Sequence, residues 1–119
     1  MTHHYEGSCH CGAVKFSFDS EEITRGMRCN CSICRRKGAL MSAVAIPQDE
    51  LKIEADPADL GLYEFDSKIA RHYFCKRCGI YTHNVTVRFP DKCRVNLGCI
   101  DAVDTFGLEV DLFDGKNLL

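Results

Sequence analysis

Three cysteines, Cys29, Cys31 and Cys34, fall within six residues of the chain, and the cations of residues 35–37 follow at once. Thiols at this spacing can converge on one metal ion, and zinc is the ion that closely spaced cysteines most often bind in proteins. Zinc takes four ligands, so this segment leaves one position open for water or substrate. Three protein ligands with an open position are typical of catalytic zinc sites.

A closed structural site is the alternative for the same three cysteines. Its fourth ligand would come from elsewhere in the chain, and the candidates are Cys93, Cys99 and His83. Unpaired cysteines usually behave as small buried apolar residues, so Cys93 and Cys99 are predicted to lie in the core. His83 and His72 are each predicted to be a surface histidine or one with its hydrogen bonds satisfied.

A second cysteine pattern, Cys75-x-x-Cys78 followed by Gly79, is typical of half of a zinc site. The glycine allows the backbone conformation that the tight turn needs. Two more thiolates are required, and Cys9-x-Cys11 is the other separate pair. The four cysteines together would form a closed tetrahedral site that joins the first strand to a later hairpin. A redox-active dithiol at Cys75 and Cys78 is the alternative, but the expected βαβ context is missing.

The nine cysteines of the chain favour metal over disulfides. Their number is odd, and the first residues lack the apolar run of a secretory signal, which predicts a cytoplasmic location. Thiols stay reduced there, so closely spaced pairs are more often zinc ligands than bridges. A disulfide scaffold is the alternative.

The length and charge of the chain limit the other classes of protein to which it could belong. The 119 residues suit a single zinc-binding domain over residues 1–119, and no apolar stretch is long enough to cross a membrane. The net charge of −2 lacks the basic excess of nucleic-acid-binding proteins, so neither nucleic acid nor membrane is predicted as a partner. The sequence makes no prediction about oligomeric state.

Short alternating segments separated by turns predict a mainly β fold with short antiparallel sheets and little helix. One short helix is predicted over residues 32–38, ending at Gly38. The stretch from residue 101 is predicted to be an irregular cover over one sheet edge. The predicted strands are residues 13–18, 21–28, 40–46, 51–53, 80–87 and 93–97, with a hairpin of residues 60–65 and 69–74 around the turn 66–68.

Three motifs carry a resemblance to a known family. They are Gly7-Ser8-Cys9-His10-Cys11-Gly12-Ala13-Val14, Cys29-Asn30-Cys31-Ser32-Ile33-Cys34-Arg35-Arg36 and Phe74-Cys75-Lys76-Arg77-Cys78-Gly79. Because it has these three motifs in this order and with these internal spacings, the chain resembles the glutathione-dependent formaldehyde-activating enzyme family, which includes the centromere protein V-like proteins. The resemblance runs from about residue 7 to about residue 101.

This resemblance implies a β-tent fold with two zinc ions per chain. One zinc would be structural, on Cys9, Cys11, Cys75 and Cys78. The other would be labile and catalytic, on Cys29, Cys31 and Cys34. The activity implied is formation of S-hydroxymethylglutathione from glutathione and formaldehyde, which is classed as a carbon–sulfur lyase activity.

The first functional hypothesis is therefore an enzyme acting on a small thiol, glutathione or similar, and an aldehyde such as formaldehyde. The substrate thiol would occupy the open zinc position, and Arg35 or Arg36 could pair with a substrate carboxylate. The rival hypothesis is a non-catalytic zinc-binding module that binds a protein partner. A nucleic-acid-binding zinc finger is a third, but the chain lacks the basic face and the recognition helix.

Overall fold

The computed structural model describes residues 2–65, 70–86 and 89–118. As predicted, the fold is mainly β, with two short α-helices in the described part, α1 (Ser32–Lys37) and α2 (Gly115–Leu118). The strands of the described residues are β1 (His3–Ser8), β2 (Val14–Ser20), β3 (Arg25–Cys29), β4 (Met41–Ser42), β5 (Ile46–Pro47), β6 (Lys52–Ala55), β7 (Leu60–Tyr63), β8 (Arg71–Cys75), β9 (Tyr81–Val85), β10 (Lys92–Val95) and β11 (Glu109–Phe113). None of the helices in the described part is long and apolar enough to cross a membrane.

These strands form three small sheets. Two are antiparallel throughout, with the strand orders β1-β2-β6 and β5-β10-β9-β8-β7. The third has the order β11-β3-β4, and in it β11 runs parallel to β3. The prediction of an irregular C-terminal cover was wrong for this segment, because β11 pairs with β3 from Glu109 opposite Arg25 to Phe113 opposite Cys29.

The first strand, β1, was not predicted from the sequence. It pairs with β2 along its whole length, and their connection carries Cys9 and Cys11. Gly7 faces Phe16 across this pair, and a Cβ at Gly7 would collide with the Phe16 ring. Glycine is therefore required where the two strands approach each other just before the cysteines.

The apolar run of residues 40–46 was predicted to be one strand, and the structure divides it. Met41–Ser42 pairs with β3, whereas Ile46 pairs with β10, so the chain changes sheets between them. The carbonyl groups of Ser42 and Ala43 accept hydrogen bonds from the Arg94 guanidinium at 2.8 and 2.6 Å. A buried arginine thus satisfies backbone groups that a continuous strand would have paired.

The other predicted strands agree in position with the observed ones but differ in length. Strand β3 begins at Arg25, four residues later than predicted. Strands β7 and β8 form the predicted hairpin, whose turn, residues 66–68, lies outside the described residues, as do residues 69 and 87.

The main core lies between the sheets and includes Phe16 and Phe18 of β2, Val95 of β10, and the leftover cysteines Cys93 and Cys99. Cys93 is 5% exposed and Cys99 is 7% exposed, which confirms their predicted place in the core. A smaller, separate cluster forms around the buried Cys9 and Cys75 together with Val14 of β2.

Candidate metal centres and the adjoining cavity

Four cysteines from two distant turns meet at one point, and they are here called the four-cysteine group. Their sulfur atoms all lie within 4.8 Å of one another, and none is in a disulfide. The group consists of Cys9, Cys11, Cys75 and Cys78. Cys9 Sγ lies 3.7 Å from Cys11 Sγ, and Cys11 Sγ lies 3.6 Å from Cys75 Sγ. A tetrahedral zinc with Zn–S bonds of about 2.3 Å has sulfur–sulfur edges of about 3.8 Å, so the arrangement fits this ion.

Backbone N–H groups point at these sulfur atoms. Cys9 Sγ accepts from the N–H of Val14 at 3.3 Å, and Cys75 Sγ accepts from the N–H of Arg77 at 3.3 Å and of Cys78 at 3.5 Å. A hydrogen bond from the Cys11 backbone is the largest of the contacts that lower the pKa of Cys78 to about 6. Such donors stabilise thiolate, which is the form that binds metal.

The turns that carry the four cysteines depend on two glycines. Gly12 has φ 84° and Gly79 has φ 79°, in the left-handed region that side-chain-bearing residues rarely adopt. The N–H of Gly79 donates to the Cys75 carbonyl at 2.8 Å and closes its turn. The structure therefore brings together the four residues that the sequence paired.

The second group, here called the three-cysteine group, consists of Cys29, Cys31 and Cys34, whose sulfur atoms also lie within 4.8 Å of one another. Cys29 ends β3, Cys31 is the N-cap residue of α1, and Cys34 lies within that helix. The helix ends as predicted at Gly38, which has φ 65°. The backbone N–H of Cys31 donates to Cys29 Sγ at 3.5 Å, so the turn itself fixes the position of the Cys29 sulfur.

No fourth cysteine, histidine or carboxylate joins this group within residues 2–65, 70–86 and 89–118. The three candidates for closing the site lie elsewhere. Cys93 and Cys99 belong to the core. His83 is 3% exposed, its Nδ1 atom is 2.9 Å from Thr82 Oγ1, and its ring stacks on Tyr73 at 4.5 Å. Of the two environments predicted for His83, the surface one is thus wrong, and its Nδ1 atom is hydrogen-bonded in the interior.

The thiols of the three-cysteine group differ in acidity before any metal binds. Burial raises the pKa of Cys34 to about 12. Burial acts in the same direction on Cys31, but hydrogen bonds from the backbone of Cys34 and from the neighbouring thiols outweigh it and lower the pKa of Cys31. The backbone of α1 therefore favours the thiolate form at Cys31.

The C-terminal segment holds the three-cysteine turn in place through Asn30. Its Nδ2 donates to Asp114 Oδ1 at 2.9 Å, and its Oδ1 accepts from the backbone N–H of Lys116 at 2.8 Å. The N–H of Asn30 also donates to the Phe113 carbonyl at 3.3 Å. The parallel strand β11, which the sequence did not predict, thus leads into the segment that supports the three-cysteine group.

A cavity of about 450 Å³ opens beside the three-cysteine group and is lined by all three cysteines. Apolar side chains from several strands form much of its wall, including Met27, Met41 and Val85. The polar side chains of Lys37, His72 and Asn84, among others, also line it. The open side of the three-cysteine group therefore faces a space large enough for a small organic molecule.

The two arginines predicted to bind substrate lie on the exposed face of α1, and neither is among the residues that line this cavity. Arg36 Nη1 donates to the Ser32 carbonyl at 2.9 Å. Arg35 borders a separate depression beside Cys29 and Cys34. Their part in substrate binding stays a prediction.

The sequence did not identify His72 and Asn84 as cavity residues. His72 is buried rather than on the surface, and only one of its ring nitrogens is paired: Nδ1 is 2.6 Å from the Tyr81 hydroxyl. Asn84 lies opposite His72 on the neighbouring strand. No local pattern marks either residue, because they reach the cavity only through the pairing of β8 with β9.

Comparison with known proteins gives a consistent result. Residues 4–116 match the sequence model of a family described as "Glutathione-dependent formaldehyde-activating enzyme". A Halomonas elongata protein named "Putative glutathione-dependent formaldehyde-activating enzyme" is 31% identical over 103 residues, which are 82% of this chain. The match spans 66% of that relative's length. A crystal structure of a Rhodobacter sphaeroides protein has a TM-score of 0.80 and 32% identity, covering 91% of this chain and 99% of the other.

Proposed function

Because the chain belongs to the glutathione-dependent formaldehyde-activating enzyme family, we propose that it is a zinc-dependent enzyme that joins a small thiol to an aldehyde such as formaldehyde. One observation carries this proposal beyond the family name. The three-cysteine group has three metal-binding sulfurs, gains no fourth ligand from the described residues, and faces a cavity. This is the composition expected of a catalytic zinc rather than of a structural one.

Zinc would be held at both cysteine groups, with two ions per chain in one domain of residues 1–119. The four-cysteine group would be the closed structural site and the three-cysteine group the labile one. Zinc bound at the latter would lower the pKa of a substrate thiol so that thiolate is present at neutral pH.

The chain's own residues would bind and orient the two substrates. The apolar wall of the cavity, with Met27, Met41 and Val85, would exclude water from the reacting atoms and cover the body of the thiol. Asn30 would keep the three sulfurs in position through its bonds to the C-terminal segment. Arg35 or Arg36, on the exposed face of α1, would meet a carboxylate of a longer thiol such as glutathione.

In this reaction the thiol sulfur bonds to the aldehyde carbon and the carbonyl oxygen becomes a hydroxyl. The reverse reaction breaks the same carbon–sulfur bond, which is the basis of the lyase class. No electrons are exchanged with another reactant, so the chemistry needs no redox cofactor.

The test is the rate of hemithioacetal formation from formaldehyde and glutathione, measured with metal-loaded protein above the uncatalysed rate. Cys31→Ser removes one ligand of the three-cysteine group and should abolish the excess rate. Cys93→Ser, a change in the core outside the cavity, is the matched control and should retain it.

A binding measurement accompanies the rate. Protein loaded with cobalt in place of zinc should show a thiolate spectrum that shifts when glutathione is added, because sulfur replaces oxygen as the fourth ligand. If there is neither an excess rate nor a spectral shift with glutathione, cysteine or a simple mercaptan, the proposal is wrong. The rival non-catalytic zinc module would then account for both cysteine groups.

A further inference from the structure

Three buried polar atoms lack an oxygen or nitrogen partner among the described residues, and all three belong to side chains that line the cavity. They are His72 Nε2, Asn84 Oδ1 and Lys37 Nζ, whose side-chain hydrogen bond is to the Cys34 thiol. Buried polar atoms in proteins are almost always paired, because an unpaired one has lost water without replacing it. Three such atoms around one cavity indicate that a polar group of a ligand completes them.

Tyr81 joins the three side chains into one cluster. Lys37 Nζ lies 3.9 Å from the centre of the Tyr81 ring, and the Tyr81 hydroxyl is 2.6 Å from His72 Nδ1. The side chain of Asn84 also hydrogen-bonds to Tyr81, which counteracts part of the rise that burial causes in the Tyr81 pKa. His72 and Asn84 face each other across β8 and β9, so the cluster is built on paired strands.

One assignment of donors and acceptors satisfies each hydrogen bond around Tyr81. Asn84 must use its NH₂ group toward the Tyr81 oxygen, since its Oδ1 is unpaired. The Tyr81 hydroxyl then donates to His72 Nδ1. Burial lowers the pKa of His72 to about 4, so the neutral ring carries its single proton on Nε2. The cavity therefore presents two donors, Lys37 Nζ and His72 Nε2, and one acceptor, Asn84 Oδ1.

A hydroxyl group is the complement of this arrangement. It accepts two hydrogen bonds and donates one, whereas a carboxylate only accepts and would leave Asn84 Oδ1 facing a negative charge. We propose that Lys37, His72 and Asn84 form a subsite for the oxygen of the aldehyde, which becomes the hydroxyl of the hemithioacetal product. This proposal rests on the function proposed above and identifies the residues that recognise its second substrate.

The reaction balances at this subsite. The thiolate sulfur forms a bond to the carbonyl carbon, and the electron pair of the C=O π bond moves to the oxygen. That oxygen takes one proton from solvent, which replaces the proton that the thiol released. Lys37 and His72 donate hydrogen bonds to the oxygen as its negative charge develops, and Asn84 accepts from the hydroxyl once it has formed.

A role for Lys37 in compensating the charge of the cysteines would explain fewer of the buried polar atoms than a hydroxyl subsite does. The Lys37 ammonium hydrogen-bonds to the Cys34 side chain and interacts electrostatically with Cys34, Cys31 and Cys29, so it would offset the negative charge of three thiolates. That role accounts for one of the three atoms. It leaves His72 Nε2 and Asn84 Oδ1 without a partner, and a hydroxyl accounts for all three.

Three small thiols of similar size test the proposal by calorimetric titration of the metal-loaded protein. They are 2-mercaptoethanol, which has a hydroxyl, 1-propanethiol, which has a methyl group in its place, and mercaptoacetate, which has a carboxylate. We expect 2-mercaptoethanol to bind about tenfold or more tightly than 1-propanethiol, because the latter leaves the three polar atoms unpaired. Apolar burial alone favours the opposite order.

Variants of the subsite should remove this preference without removing thiol binding. Lys37→Met and Asn84→Leu should bring the two dissociation constants to within about twofold of each other. Lys52→Met is the matched control, because Lys52 is an exposed lysine outside the cavity, and it should keep the parent's tenfold ratio. Metal content and melting temperature establish that each variant is folded, and Lys37→Met alone suffices if Asn84→Leu does not fold.

The outcomes separate this proposal from the proposed function. If 2-mercaptoethanol and 1-propanethiol bind equally, or if mercaptoacetate binds best, the hydroxyl subsite is wrong while thiol binding stands. If none of the three thiols binds, the proposed function fails and the subsite fails with it. A tenfold preference that Lys37→Met leaves unchanged also overturns the subsite.

Discussion

Replacing Cys75 by serine should destabilise the protein far more than the same replacement at Cys93, although both side chains are buried. Cys75 is fully buried, and its sulfur is 3.6 Å from that of Cys11, a residue 64 positions away in the chain. It also accepts hydrogen bonds from the N–H groups of Arg77 and Cys78. The substitution therefore opens the four-cysteine group, which joins the β1–β2 turn to the β8–β9 turn.

The magnitude follows from the free energy of structural zinc binding, which is on the order of 10 kcal/mol or more at neutral pH. Losing one ligand of four should forfeit at least about 3 kcal/mol of it. For a domain of this size, 1 kcal/mol corresponds to about 4 °C, so the melting temperature should fall by about 12 °C or more. Cys93→Ser places a hydroxyl in the apolar core and should cost only about 1–2 kcal/mol.

The assay is thermal unfolding followed by circular dichroism, together with zinc content per chain, for the parent and the two variants. The parent and Cys93→Ser should each retain two zinc ions, and Cys75→Ser should lose one. If Cys75→Ser kept both ions and melted with the parent, the four-cysteine group would not be a structural metal site.

Two further predictions concern metal release and pH. A mild chelator should remove the metal of the three-cysteine group first and leave the far-ultraviolet circular dichroism unchanged, because three protein ligands bind less tightly than four; release of both ions in one step with unfolding would contradict this. Burial lowers the pKa of His83 from 6.5 to about 4, so the folded protein binds fewer protons than the unfolded chain between these values, and stability falls as pH is lowered through this window. Between pH 7 and pH 4.5, the free energy of unfolding of His83→Gln should therefore fall by about 2.5 kcal/mol less than that of the parent. Urea unfolding at the two pH values measures both decreases, and equal decreases would show that His83 does not titrate in this way.

The local features of both metal groups could be predicted from the sequence. Cysteines separated by one or two residues can reach the same ion through a single turn, and this depends only on backbone geometry over a few residues. The helix ending at Gly38 and the turn glycine at Gly79 are local in the same sense, since a positive φ depends on the residue itself. The pairing of Cys9 and Cys11 with Cys75 and Cys78 could be inferred because zinc takes four ligands and each of these two motifs supplies two.

Strand pairing was less predictable, because the pattern of apolar and polar residues indicates which side chains are buried but not which strands pair with each other. Residues 40–46 are apolar throughout, which suits one buried strand, and only the structure shows the change of sheet at Ser42 and Ala43, where Arg94 supplies the hydrogen bonds. Strand β11 has exposed apolar residues such as Leu112, so its alternation did not indicate a sheet. Its parallel pairing with β3 is a contact between segments about eighty residues apart.

The amino-acid sequence by itself determined which cysteines could bind metal, because ligand identity and short spacings are written along the chain. Only the tertiary structure decided what surrounds the open side of the three-cysteine group. Lys37 comes from α1, His72 from β8 and Asn84 from β9, and no sequence pattern relates them. They line one cavity because β8 pairs with β9 and α1 packs beside that pair, placing Lys37 over the ring of Tyr81. Donor and acceptor atoms that such long-range packing leaves without a partner are a property of the folded chain, and they could be found only in the structure.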